Sequence, residues 1–287
     1  MTINLYPPGW HEAFDQQITD LQTQFPEAHI YALIDGVQNE SCYPFLKRHG
    51  GLSYFPLYKN TASRDDETLG LSPLLVAYDE FAPLIWRKLI EKTNGHASLS
   101  IIVTTESREQ IAERLTPWCI VNADGEWMAL SFSDTRILPE LFKVLTQEQV
   151  GQLCGPALRW QYVTRHCTWQ DLPMPTVPLT LADEVKLDEQ QCARLIDASE
   201  ADGVLYQLRR ANAALVDCQS PARAHELTRH MLNCANHAQI SSPPERVELC
   251  ELIFLRPALA NDMQLMQWLS SPSTPTSLDI LKTRWIK

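Results

Sequence analysis

The feature that most constrains this fold is a change of pattern at residues 171–180 (DLPMPTVPLT), which hold three prolines and no periodicity. Before this segment, short apolar runs typical of β-strands alternate with segments of helical spacing; after it, the spacing is helical almost throughout. The pattern predicts an α/β lobe over residues 1–170, with a mixed sheet and flanking helices, a linker over 171–180, and an all-α lobe over 181–287. A chain of 287 residues is long enough for two such lobes.

Three apolar runs and one turn predict the sheet of the first lobe. The predicted strands are residues 29–34, 74–78 and 99–103. Two further strand-like runs are separated by a segment that contains Asp124-Gly125, a pair typical of tight β-hairpins.

Polar residues and prolines predict several helix starts. Ser107 with Gln110, and Thr146 with Gln149, have the spacing of capping boxes. In the second lobe, Ser220 and Ser242 each precede a proline, as expected of a cap followed by proline at the first helical position. The predicted helices of that lobe are residues 183–199, 204–217, 221–238, 243–255 and 261–269.

The charge balance restricts the class of partner. Thirty-five Asp and Glu against 24 Lys and Arg give a net charge of −11. Such a surface repels nucleic-acid phosphates and anionic lipid, so we expect neither as a partner; it suits a basic partner, or serves solubility alone. The N-terminus has no basic stretch followed by an apolar one, and the apolar runs are far shorter than the ~18 residues of a membrane span. We therefore expect a cytoplasmic protein.

Motifs for catalysis and cofactors are missing from the sequence. It contains no GxGxxG, GxxxxGK[ST], GxSxG or HExxH motif, so we expect neither an enzyme nor a bound cofactor or metal. The eight cysteines form no CxxC pair and are expected to be small buried hydrophobes in a reducing compartment. Two enzymatic alternatives stay open: a zinc site on the helix face of His230, Cys234 and His237, or a catalytic cysteine–histidine pair.

Five residues are candidates for partner contact or for the scaffold behind it. Asp35 ends a strand predicted to be parallel, a position where α/β proteins place sites, although Asp35-Gly36 is also a typical turn. Asp134 and Arg136 form either a structural ion pair or a partner-facing pair. Trp160 and Tyr162 are either interface anchors or packing between the lobes.

Motifs between residues 30 and 162 resemble those of one family when taken in order. They are YALIDG at 31–36, FPLY at 55–58, LSPLLV at 71–76, FSDTRIL at 132–138, and LTQEQVGQLCGPALRW at 145–160. Together they resemble the type VI secretion effector-adaptor chaperones, called Tap or Tec proteins. Ser131 stands where that family usually has arginine, and Thr135 where it usually has proline.

The resemblance implies a non-catalytic role. A protein of this kind binds one toxin effector and promotes its docking on the VgrG spike of the secretion system. Because only the first lobe resembles the family, we hypothesise that it is the shared docking scaffold and that the unfamiliar second lobe gives cargo specificity. An immunity protein that neutralises a toxin stays an alternative, because it would share the acidic surface and the lack of catalytic motifs.

Overall fold

The computed structural model describes residues 2–61, 65–176, 183–262, 264, 265 and 267. The chain forms two compact units, Met1–Asp197 and Ala198–Lys287. Residues 177–180 of the predicted linker lie outside the described ranges, as do residues 263, 266, 268 and 269 of the last predicted helix. Among the helices of the described ranges, none combines the length and the hydropathy that crossing a bilayer requires.

The first unit is built on a six-stranded sheet with the strand order β2-β3-β1-β4-β7-β8. Its strands are β1 (His29–Asp35), β2 (Tyr54–Pro56), β3 (Pro73–Ala77), β4 (Leu99–Thr104), β7 (Ala157–Val163) and β8 (Trp169–Asp171). A smaller sheet joins β5 (Ile120–Ala123), β6 (Glu126–Ala129) and β9 (Lys186–Leu187) in the order β6-β5-β9. Every pair of the large sheet is antiparallel, and β5 with β9 is the parallel pair of the small one.

The prediction that Asp35 ends a parallel strand was therefore wrong, because β1 runs antiparallel to both β3 and β4. The sequence misled on strand direction because the large sheet is buried on both faces. All residues of β1 after His29 are buried, which produces the continuous apolar run that is more typical of parallel strands.

Two cores cover the two faces of the large sheet. Alternate β1 side chains, such as Leu33 and Ile34, belong to opposite cores. The helices of this unit are α1 (Trp10–Gln24), α2 (Cys42–His49), α3 (Asp66–Gly70), α4 (Pro83–Lys92), α5 (Arg108–Leu115), α6 (Leu138–Val144) and α7 (Gln147–Cys154). Residues of α1, α2 and α4 line one core, and residues of α5, α6 and α7 line the other. The predicted α/β fold class of the first unit, a sheet with flanking helices, is confirmed.

Local signals located most elements correctly. Both predicted capping boxes are present, with Ser107 accepting from the Gln110 amide and Thr146 from the Gln149 amide. The hairpin turn is confirmed too: φ is 52° at Asp124 and 91° at Gly125, as a two-residue turn with two left-handed positions requires.

The buried side chain of Arg114 connects α5 with the end of α7 and forms an ion pair with Glu106. Arg114 Nε lies 2.8 Å from Glu106 Oε1, and the Arg114 guanidinium also donates to the Leu153 carbonyl. Gly155 follows at φ 55° and ψ −141°, and a Cβ atom built there would lie 2.3 Å from Arg114 Nε. Only glycine fits this position without displacing the arginine.

The second unit is helical in its described part. It contains most of α8 (Glu189–Asp217), together with α9 (Pro221–His237), α10 (Pro243–Leu255) and a 3₁₀ turn (Pro257–Asn261). Two helices were predicted where α8 lies, with a gap after residue 199; the break instead falls at Asn212, at φ −154° and ψ 86°. The Asn212 side chain accepts from the Leu215 amide and so restarts the helix. Ser220 caps α9 through its side chain, whereas Ser242 makes no such bond to α10.

Candidate functional site

Three of the five candidate residues come together at the carboxyl end of β1. Asp35, Ser133, Asp134 and Arg136 form one polar group, called here the Asp35 cluster. Asp35, Ser133 and Asp134 are each at most 3% exposed. The cluster thus joins the YALIDG and FSDTRIL motifs, which lie far apart in the sequence.

Asp35 is held by hydrogen bonds from three segments. Its Oδ2 accepts from Ser133 Oγ at 2.6 Å, and its Oδ1 accepts from the Gln38 amide at 2.8 Å. Its own amide donates to the Ser98 carbonyl at 2.9 Å. The next residue, Gly36, has no room for a side chain, because a Cβ atom would lie 2.4 Å from the Ser72 carbonyl oxygen. Asp35 closes this turn and does not cap α2, whose N-cap is Ser41.

Asp134 and Arg136 form a structural ion pair. Arg136 Nη2 lies 2.6 Å from Asp134 Oδ2, Arg136 Nε lies 3.0 Å from Oδ1, and the Arg136 amide donates to Oδ1 at 2.8 Å. The Asp134 carbonyl accepts from the Leu138 amide, which begins α6. Side-chain exposure is 3% for Asp134 and 15% for Arg136. This largely buried pair therefore holds the segment that leads into α6.

The electrostatics of the cluster depend on burial. Burial is the main cause that raises the pKa of Asp35 from 3.8 to about 6, and the negative charge of Asp134 raises it further. The Ser133 hydroxyl, the Gln38 amide and the Arg136 guanidinium act in the opposite direction and lower it. Asp35 can therefore change charge close to neutral pH. Two buried hydroxyls of adjoining segments, Ser98 Oγ and Thr135 Oγ1, find no hydrogen-bond partner among the described residues.

Trp160 and Tyr162 lie on β7, inside the core of the first unit. Trp160 is fully buried, its Nε1 donates to Ser100 Oγ at 3.1 Å, and its ring meets Phe142 edge-on at 6.0 Å. Tyr162 is 5% exposed and donates to Gln170 Oε1 at 2.9 Å. Both belong to a core cluster whose members all belong to the first unit. Their side chains hold β7 on the sheet and are not on its surface.

The cysteines are free thiols, and five of the eight are buried. Burial raises the pKa of Cys42, Cys154 and Cys250 to about 12, so these sulfurs remain protonated and weakly nucleophilic. Cys218 is exposed, which departs from the sequence expectation.

The side chains of the proposed zinc face are not assembled around one point. Cys234 Sγ lies 4.0 Å from His230 Nε2, whereas His237 Nδ1 lies 2.7 Å from its own helix at the Asn233 carbonyl. Over the described residues, no group of three His, Cys, Asp or Glu side chains could hold a metal ion.

Sequence reasoning missed two exposed apolar surfaces. On the hairpin, Trp127 is 61% exposed and Met128 is 49% exposed. Phe81, which precedes α4, is 90% exposed, and Leu84, in the first turn of α4, is 74% exposed. The sequence signal that could have indicated the hairpin surface was the EWMA run of β6, in which only Glu126 is charged.

The net charge of the chain comes from the first of its two units. Residues 1–197 hold 26 Asp and Glu against 15 Lys and Arg, whereas residues 198–287 hold nine of each class. The whole net charge of −11 thus belongs to the first unit.

Comparison with known proteins gives a match to a family model. No curated protein and no solved structure matches the chain. The matching family model begins within β1, ends within α7 and spans the Asp35 cluster, whereas Trp160 and Tyr162 lie beyond it. Residues 30–152 match the family described as "Domain of unknown function (DUF4123)".

Proposed function

We propose that this protein is a non-catalytic cytoplasmic adaptor of the Tap or Tec type. In this proposal it binds one toxin effector and promotes the loading of that effector onto the VgrG spike of a type VI secretion system. It needs no cofactor, and it acts by holding two other proteins near each other.

One observation carries the proposal. The ordered motifs that resemble the adaptor family fall largely within the residues matched by the family model. Two of them, far apart in the sequence, meet in the Asp35 cluster through the bond between Asp35 and Ser133. These motif residues are buried and bonded to each other, so they support a scaffold role. A docking protein needs such a scaffold, whereas a catalytic role would require side chains that reach a substrate.

The distribution of charge supports a protein partner. A unit with a net charge of −11 attracts basic surfaces over a distance of about one Debye length and repels nucleic acid. The buried thiols of Cys42, Cys154 and Cys250 support a non-catalytic role. A cysteine enzyme needs a thiolate at neutral pH, and these thiols are protonated there.

Affinity purification from the native cytosol, under conditions where the secretion genes are expressed, tests the proposal. We expect a VgrG-like spike protein and one large toxin among the proteins identified by mass spectrometry. The purification is run in parallel with Arg136→Met, which removes one partner of the buried ion pair; we expect it to recover less of both proteins. Recovery of neither protein by the unaltered chain would contradict the proposal.

Deletion of the gene separates the adaptor from the immunity alternative. Loss of an adaptor lowers the amount of toxin delivered to neighbouring cells and leaves the producing cells healthy. Loss of an immunity protein makes the toxin kill its own cell. Growth of the deletion strain beside a sensitive neighbour reads out both effects.

A further inference from the structure

Strand β6 is an open edge of the small sheet. Among the described residues, β6 pairs with β5 and with no other strand. All four of its residues are exposed. Proteins usually protect such edges with proline, lysine or a bulge, and β6 contains none of these.

The hydrogen-bond pattern shows which backbone groups face outward. The Leu130 amide donates to the Cys119 carbonyl at 3.1 Å, so it points toward β5. Because amide direction alternates along a strand, the amides of Met128 and Glu126 also point toward β5. The N–H and C=O groups of Trp127 and Ala129 therefore face the open edge. On the opposite edge of β5, the Asn122 amide donates to the Val185 carbonyl at 2.9 Å, which fits the same alternation.

The side chains of the hairpin add an apolar surface to this edge. Trp127 lies opposite Asn122 and shares a face with Ile120 and Ala129. Trp127 is 61% exposed and Ile120 is 42% exposed. A strand added beside β6 would place its own side chains next to Trp127, so aromatic contact would be added to the backbone hydrogen bonds.

The local charge determines what kind of strand fits. The hairpin carries Asp124 and Glu126, and residues 117–133 contain no lysine or arginine. The unit that contains the hairpin holds the whole net charge of −11. Pairing with a second copy would bring two such units together at an electrostatic cost, whereas a basic strand would be attracted.

We propose that β6 accepts an extended segment of a partner protein in which Lys or Arg alternates with apolar residues. Such β-augmentation goes beyond the adaptor function, because it identifies the edge that binds and the chemistry of the bound segment. Its test uses synthetic peptides, so the outcome for β6 does not depend on which cargo the cell supplies.

The experiment follows amide hydrogen exchange in the full chain by NMR. The probe is a short peptide of alternating Lys and Val, compared with a peptide of alternating Glu and Val. We expect the basic peptide to slow exchange at Trp127 and Ala129 by about tenfold or more, and the acidic peptide to leave it unchanged.

Two variants at one position provide the matched control. Ala129→Pro removes an outward amide that the hairpin does not use, so the fold should persist while strand addition is lost. Ala129→Val keeps the amide and favours a strand, so peptide binding should be retained. Three results would overturn the proposal: equal protection by both peptides or by neither, full binding by Ala129→Pro, or slow exchange of both amides before any peptide is added.

Discussion

Ser133 Oγ lies 2.6 Å from Asp35 Oδ2, so two buried residues separated by 98 positions are joined by one hydrogen bond. The bond links the end of β1 to the segment that begins α6. Because a buried carboxylate without its donor keeps the full cost of desolvation, this contact should affect stability more than an exposed hydrogen bond would.

Ser133→Ala should lower the free energy of unfolding by about 1–3 kcal/mol, because Asp35 Oδ2 loses its donor. Urea denaturation at neutral pH measures the change. Ser131→Ala removes an exposed hydroxyl two residues earlier and should stay within about 0.5 kcal/mol of the unaltered protein. Equal effects of the two substitutions would show that the Asp35 bond does not contribute.

The pH dependence of stability should carry the signature of Asp35. Its pKa is about 6 in the folded protein and 3.8 ordinarily, so between these values the folded state binds more protons than the unfolded state. The stability that Asp35 contributes is therefore complete below pH 4 and is lost as the pH rises through 6. Asp35→Asn keeps the side chain neutral and removes this loss.

Relative to the unaltered protein, Asp35→Asn should gain on the order of 2–3 kcal/mol of unfolding free energy between pH 4 and pH 7. Denaturation series at several pH values measure the difference between the two proteins. Curves that stay parallel across this range would contradict the raised pKa of Asp35.

Arg136→Met should destabilise the first unit by about 3–5 kcal/mol, because it leaves the Asp134 carboxylate buried without its partner. Arg136→Lys should fall between this variant and the unaltered protein, since lysine keeps the charge but not the planar fork. The double variant Asp134→Asn with Arg136→Met completes a thermodynamic cycle. A sum of single effects equal to the double effect would mean that the pair is not coupled.

Gly155→Ala should destabilise by more than about 1 kcal/mol, because the new Cβ meets Arg114 at a left-handed backbone position. The shifted guanidinium would also weaken its bonds to Glu106 and to the Leu153 carbonyl. Gly203→Ala is the matched control: it lies in α8 with no atom within 4 Å of the new Cβ, so it should be neutral or stabilising by up to about 1 kcal/mol. Thermal melting compares the two.

Thiol labelling should distinguish the cysteines by exposure. Cys218 is exposed and should react first with a maleimide reagent in the native protein. Cys42, Cys154 and Cys250 should react only after denaturation, because burial raises the pKa of each thiol to about 12. Mass spectrometry of digested samples reads the order, and early labelling of a buried thiol would mean that the core opens readily.

The sequence predicted those features whose cause is local. Ser107 with Gln110 and Asp124 with Gly125 act within a few residues, so their spacing alone located a helix start and a hairpin. The relation of Asp35 to Ser133 depends on which strands become neighbours, and periodicity does not carry that information. Burial on both faces likewise concealed the antiparallel direction of β1.

The candidate residues show the same division. Sequence reasoning selected Asp35, Asp134 and Arg136, whereas Ser133 lay within the FSDTRIL motif and was not singled out as the partner of Asp35. An aromatic residue looks the same in a sequence whether it anchors an interface or fills a core, so the interior position of Trp160 and Tyr162 emerged only from the sheet order.

The order of the large sheet also has a consequence for synthesis on the ribosome. Translation delivers β1 first, yet both of its neighbours, β3 and β4, are made later, and β8 completes the sheet only at Asp171. The nascent chain therefore carries β1 with both edges unpaired while much of the first unit is still missing. During that interval the Asp35 carboxyl is hydrated and charged. It becomes buried only after Ser133 has been made and has bonded to it, so closure of the first unit and dehydration of this carboxyl should occur together.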